Sequence, residues 1–204
     1  GADADNVRRL SSELGIDPVL AELLVQRGVR TFEQARSFFR PSLDDLHDPF
    51  LMTDMEKAVE RVHKAVVSGE KILVYGDYDV DGVTSVSLLY LYLTSRGGDV
   101  GYYIPSRIRE GYGLSEPAID RLAERGVNLM ITVDTGITAN AEIDYAKSLG
   151  IDTVVTDHHE CRAELPVACA VVNPHRPDDE YPFKELAGVG VVFKIICALE
   201  MDAC

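Results

Sequence analysis

Residues 71–85 read KILVYGDYDVDGVTS, and the step from strand to aspartates in this stretch decides the fold. Ile72 to Tyr75 is an apolar run of the kind that fills a buried strand. Gly76 ends it, Asp77, Asp79 and Asp81 arrive at alternate positions, and Gly82 closes the group. Carboxylates gathered so closely repel one another, so the arrangement needs a reason. Outward from this stretch the rhythm repeats. MEKAVERVHKAVVSG, with Asp54 as its expected cap, precedes it; VTSVSLLYLYLTSRG, DVGYYIP, SEPAIDRLAERG, NLMITVD, ANAEIDYAKSLG, IDTVVTD, CAVVN and AGVGVVFKIICALE follow. Apolar strands alternating with amphipathic helices specify an α/β fold: a parallel sheet flanked by helices on both faces.

Ahead of Leu51 the pattern is different. NVRRLSSELG, PVLAELLVQRG and TFEQARSFFR read as short helices, with Pro18 at a start, Gly28 at a stop and Thr31 as an N-cap. RPSLDDLHDPFLMTD is rich in turn residues and separates them from the alternating part. The expected organisation is a small helical region over residues 1–50 and an α/β domain over residues 51–204.

The hydrophobic share of 46% across 204 residues fits a globular chain with a substantial core. No apolar run approaches the roughly 18 residues of a membrane span, and GADADNVRRL lacks the apolar core of a signal peptide, so a cytoplasmic location is expected and no membrane partner. Cys161, Cys169, Cys197 and Cys204 form no CxxC pair and are expected as reduced thiols. Twenty basic against thirty-four acidic residues give a net charge of −14. That balance argues against a nonspecific polyanion binder, because such affinity rests on Lys and Arg, unless bound metal ions supply the positive charge.

In an open α/β sheet, ligands collect beyond the carboxyl ends of the strands. KILVYG delivers Asp77, Asp79 and Asp81 there, NLMITVD delivers Asp134, and IDTVVTD delivers Asp157 followed by His158 and His159. Carboxylate with imidazole is a ligand set for Mn²⁺ or a similar ion; oxygen alone suits Mg²⁺, and nitrogen tilts the choice toward Mn²⁺. A shared carboxylate would set two such ions about 3.5–4 Å apart, the spacing used for in-line phosphoryl displacement. Bound cations would then cancel the repulsion. Taken alone, DxDxDG also describes a solvated turn and Asp134 a helix cap; His47, His63 and His175 read as ordinary structural histidines. The coincidence of three motifs at successive strand ends favours the metal.

GDYDVDG, VDTG and TDHH, in this order on alternating strands, resemble the DHH phosphoesterase superfamily. Within it, LHDPFLMTDMEKAVERV, YIPSRIREGYGLSEPAI and NPHRPDDEYPFKELAGVGVVFKI are similar to the RecJ-type single-strand-specific exonucleases. The resemblance implies a 5′-to-3′ exonuclease of single-stranded DNA in repair and recombination, using Mn²⁺ or Mg²⁺ in a two-metal site. It implies Asp77, Asp79, Asp81, Asp134 and His158 as metal ligands, with Asp134 as the bridge. His159 would face the scissile phosphate, and Asp157 would orient a histidine from behind. Many members carry a histidine where this chain has Tyr75, a role that Asp77 would take over. A fourth metal-binding aspartate expected after the AGVG helix does not occur before Cys204, so the α/β domain reads as truncated before its fourth motif, and the chain as a fragment or a shortened member.

The chemistry so implied is metal-assisted hydrolysis without a protein nucleophile. Arg107 is the candidate phosphate clamp, its guanidinium matching phosphate oxygens as a fork, against an ion pair with Glu110. Tyr112, between Gly111 and Gly113, is a candidate base platform. Gly188 and Gly190 open a helix whose amides would accept a phosphate, with Asn173 and Arg176 as weaker candidates. The alternatives are a DHH phosphodiesterase of short oligonucleotides or cyclic dinucleotides, a non-catalytic replication scaffold, and a soluble pyrophosphatase. No protein partner in repair or replication is identifiable from sequence.

Overall fold

A computed structural model describes residues 2–108 and 111–202, which fall into two compact units dividing between His47 and Asp48. The first holds α1 (Ala2–Leu14), α2 (Pro18–Gln26) and α3 (Phe32–Phe39) around Leu10, Ala21, Leu24, Val25, Val29 and Ala35. Local chemistry sets these helices. Asp17 accepts the Val19 amide with Pro18 in the first turn, Gly28 leaves α2 at φ 81°, and Thr31 forms a reciprocal capping box with Gln34.

The second unit contains α4 (Met55–Val67), β1 (Lys71–Gly76), α5 (Val80–Ser95), β2 (Asp99–Tyr103) and α6 (Glu116–Glu124). It continues with β3 (Leu129–Val133), α7 (Asn140–Ser148), β4 (Asp152–Thr156), β5 (Ala170–Val172) and α8 (Gly188–Asp202). Every strand pairing is parallel and the order is β2-β1-β3-β4-β5. Alternate strand residues serve opposite faces. Ile72, Val74, Leu129, Ile131 and Val133 pack against α4, α5 and α8, while Leu73, Tyr75, Met130 and Val155 pack against α6 and α7. No helix among the described residues is long and apolar enough to cross a membrane.

Asp54 departs from its expected role. It stands at the N-cap position of α4 with φ 64°, yet makes no capping bond. Its carboxylate instead takes the Val171 amide and the Arg176 guanidinium, because a left-handed backbone turns the side chain toward β5 rather than along the helix. The strand order reverses between β1 and β3: the chain leaves β1 for one edge and returns across it to β3. Such a switch point, beyond the carboxyl ends of the strands, is where open α/β sheets bind their ligands.

Candidate metal centre

The turn after β1 is built by two glycines. A β-carbon on Gly76 would lie 2.2 Å from a Val86 methyl, and one on Gly82 would lie 2.5 Å from the Asp77 carbonyl oxygen. Their absence lets α5 start directly against the strand end. Asp79 caps α5 by accepting the Gly82 amide at 2.9 Å. Asp77, 4% exposed, takes the Tyr78 amide at 2.7 Å; burial, with the charge of Asp79, raises its pKa above the usual carboxylate range.

Asp134 follows β3 in a left-handed conformation, φ 58°, and is 1% exposed. It does not cap a helix, since α7 starts only at Asn140. Its Oδ1 makes no hydrogen bond of sound geometry, although His158 Nε2 lies 3.1 Å away. Burial, then the charges of Asp81 and Asp79, push its pKa up to about 7. An orphaned, desolvated carboxylate oxygen facing an imidazole is costly unless a cation is meant to sit there.

Among the described residues, two groups offer ligand atoms that all lie within 4.8 Å of one another: Asp134 with His158 and His159, and Asp77 with Asp79 and Asp134. Asp134 is common to both. The donor set of carboxylates and imidazoles fits a divalent cation such as Mn²⁺ or Mg²⁺. Asp81 belongs to neither group. Its two oxygens accept the amides of Gly188 and Val189 at 2.7 and 2.8 Å, and Oδ2 lies 3.5 Å from His158 Nε2. Each oxygen keeps a further lone pair, so Asp81 borders the cluster while tying it to α8.

Asp157, 1% exposed, is saturated. Its Oδ1 accepts the amides of His158 and His159 and contacts His159 Nδ1 at 2.7 Å; Oδ2 accepts the Ile137 amide at 3.0 Å. Burial pushes its pKa up, but the His159 ring and these amides outweigh that and hold it below the usual range. The Asp157 hydrogen bond, in turn, pushes His159 up to about 9. Tyr75, which stands where the resemblance places a histidine, is buried on the α6 side with its hydroxyl donating to the Gly113 carbonyl, and it belongs to neither ligand group.

Other expected site residues separate into those beside the ligand cluster and those withdrawn from it. Arg107 is exposed, its guanidinium 5.5 Å from the centre of the Tyr78 ring, and its charge is felt by Asp77. Glu110, its alternative partner, lies outside the described residues, as does Cys204. Tyr112 meets the His159 ring edge-on at 6.2 Å and bonds the Thr135 side chain, a partner not anticipated from sequence.

The phosphate seat expected at the start of α8 is taken. The Gly188 amide is committed to Asp81 and the Gly190 amide to the Ala187 carbonyl, because a carboxylate already occupies this helix end. Arg176 is likewise unavailable for phosphate: its guanidinium is locked by Asp54, Asp178 and the Val171 carbonyl. Asn173 is fully buried and bonded to the main chain on both sides. The Asn-Pro step at a strand end was the signal for a tight turn there.

Residues 71–203 match the DHH family, N-terminal domain. Over 197 residues the chain is 50% identical to the single-stranded-DNA-specific exonuclease RecJ of Bacillus subtilis (strain 168), covering 97% of this chain and 25% of that protein. It is 39% identical over 198 residues to the protein of the same name from Escherichia coli (strain K12), covering 97% and 33%. The crystal structure of RecJ in complex with Mn²⁺ from Thermus thermophilus matches with a TM-score of 0.77 at 28% identity, over 98% of this chain and 27% of that one. The chain thus spans a quarter to a third of the length of these relatives.

Proposed function

The chain belongs to the DHH family, and from that premise we propose that it carries the metal-binding part of a 5′-to-3′ exonuclease that hydrolyses phosphodiester bonds of single-stranded DNA in repair and recombination. The observation that carries this reading is Asp134, a buried carboxylate shared by both ligand groups, with an oxygen that has no hydrogen bond. Relatives named as single-stranded-DNA-specific exonucleases support the substrate class. A cytoplasmic site of action goes with that substrate.

Asp77 and Asp79 would hold one ion, and His158, with the free lone pairs of Asp81, a second, Asp134 being shared. When bound, Mn²⁺ or Mg²⁺ would supply Lewis acidity toward phosphoryl oxygens and make an attacking water acidic enough to ionise near neutral pH. The chain's own residues do the rest. Asp157 fixes the ring of His159 through Nδ1, which leaves Nε2 to donate toward a phosphoryl or leaving oxygen. Arg107, laid over Tyr78 beside Asp77, grips a neighbouring backbone phosphate. Tyr112, half-exposed beside His159, offers a face to a base.

The test is digestion of end-labelled DNA by the full-length product of the gene with Mn²⁺. Expected is release of the 5′ label as small nucleotides from single strands, with duplex left intact. Cleavage confined to dinucleotides, with long single strands untouched, would replace this reading with a short-oligonucleotide phosphodiesterase.

A further inference from the structure

We propose that Asn173 is a positioning residue for His159, holding the main chain of that histidine while Asp157 holds its ring. The role rests on how β4 ends. Its pairing with β5 runs from Val154 opposite Ala170 to Thr156 opposite Val172, and one more ladder bond follows, from the Asp157 amide to the Val172 carbonyl. After it, residues 158 and 159 leave the sheet with no strand beside them. The His159 ring is 46% exposed, so packing does not fix it. Its restraints are hydrogen bonds. Asp157 takes the His159 amide at 3.2 Å and contacts Nδ1 at 2.7 Å; Asn173 Nδ2 donates to the His159 carbonyl at 2.9 Å.

Asn173 is itself immobile. It is 0% exposed, and its Oδ1 accepts the His175 amide at 2.8 Å, an Asx turn over Pro174. Its carbonyl accepts the Arg176 amide at 3.2 Å, and the Arg176 guanidinium is pinned by Asp54, Asp178 and the Val171 carbonyl. One amide thus reads both ways, with the acceptor on the rigid turn and the donor on the catalytic loop. On the main chain, Asp157 restrains only the amide side of His159. Asn173 restrains the carbonyl side, and the two together stop the peptide planes from rotating.

Asn173→Asp separates this role from a purely structural one. A carboxylate keeps an acceptor for the His175 amide but has no proton to give, so an anionic oxygen would face the His159 carbonyl. A residue that serves only the turn tolerates the change.

The first readout does not depend on the proposed nuclease activity. In the metal-free chain, the His159 Nδ1 proton held by Asp157 is expected as a downfield resonance, identified by its disappearance in His159→Gln. Asn173→Asp should abolish that resonance while the amide spectrum of the rest of the chain is retained. An unchanged resonance overturns the proposal. Should Asn173→Asp not fold, Asn173→Ala is read in the same way.

The second readout rests on the proposed function and uses the full-length gene product. Asn173→Asp should lower kcat by about 10- to 100-fold, as expected for a misplaced catalytic group, with KM changed less than about twofold. In a His159→Ala background the same change should cost nothing further, and an additive loss there overturns positioning through His159. If the parent cleaves no DNA, the nuclease reading fails, and the resonance alone decides the role of Asn173.

Discussion

A β-carbon placed on Gly188 would lie 2.7 Å from Asp134 Oδ1, so the first residue of α8 and the left-handed aspartate after β3 share a space that admits no side chain. Gly188→Ala should therefore push the Asp134 carboxylate away from His158. We expect a loss of about 1–3 kcal/mol from overpacking. Mn²⁺ is expected to raise the melting temperature of the parent by binding the folded state, and to do so far less in the variant. Melting with and without Mn²⁺ checks both, and an undiminished metal gain would refute the coupling.

The same carboxylate makes stability depend on pH. Burial and the neighbouring aspartates raise Asp134 from 3.8 to about 7, so between these values the metal-free folded state holds a proton that the unfolded chain has released. Stability therefore falls as pH rises across this window, by on the order of a few kcal/mol. His159, raised by Asp157 from 6.5 to about 9, contributes stability that is complete below 6.5 and lost as pH rises through 9. Asp157 acts oppositely: its pKa is lowered, and its contribution is lost only as pH falls below the usual carboxylate range. Asp134→Asn in EDTA should remove most of the slope in the lower window and leave most of the upper one, which rests chiefly on Asp157. Thermal melts across pH 4 to 9 would show this, and Mn²⁺ should reverse the lower slope in the parent by binding the ionised form.

Arg107 lies against Tyr78 and close enough to Asp77 for their charges to interact. Arg107→Ala in the full-length gene product should weaken single-stranded DNA binding and reduce its salt slope by about one phosphate contact, with metal affinity preserved. Arg107→Lys should recover part of the loss, since an ammonium keeps the charge without the fork. Fluorescent DNA titrated in Ca²⁺ at several salt concentrations measures this; an unaltered affinity and slope in Arg107→Ala would end the clamp assignment.

Arg176 belongs to the frame and not to the ligand. Its side chain is 8% exposed and held by Asp54 and Asp178, each at 2.7 Å. Arg176→Ala should destabilise the chain by about 1–3 kcal/mol: Asp54 keeps Lys57 and the Val171 amide and Asp178 is exposed, but the hydrogen bonds that tie both carboxylates to the Val171 carbonyl through one guanidinium are lost. Urea unfolding would give this value. A variant within about 0.5 kcal/mol of the parent, the range of an ordinary surface change, would show that the network is marginal.

The order of strands and helices was legible in residues 71–200, because short continuous apolar runs of strand length alternate there with longer amphipathic stretches. A parallel sheet sends every strand's carboxyl end the same way, so the placement of Asp77, Asp134 and Asp157 on one rim followed from the alternation alone. Which of these carboxylates is spent and which is open did not follow. Asp157 looks like Asp134 in sequence, each an aspartate at a strand end, yet it accepts four hydrogen bonds while Asp134 Oδ1 accepts none. The amides that occupy Asp81 lie 107 and 108 residues further along the chain, and the carboxylate that pins Arg176 lies 122 residues earlier. Spacing along a strand determines the end at which a side chain emerges. Its hydrogen-bond partners depend on which distant segments pack within about 3 Å of it, and only the assembled sheet and its helices decide that.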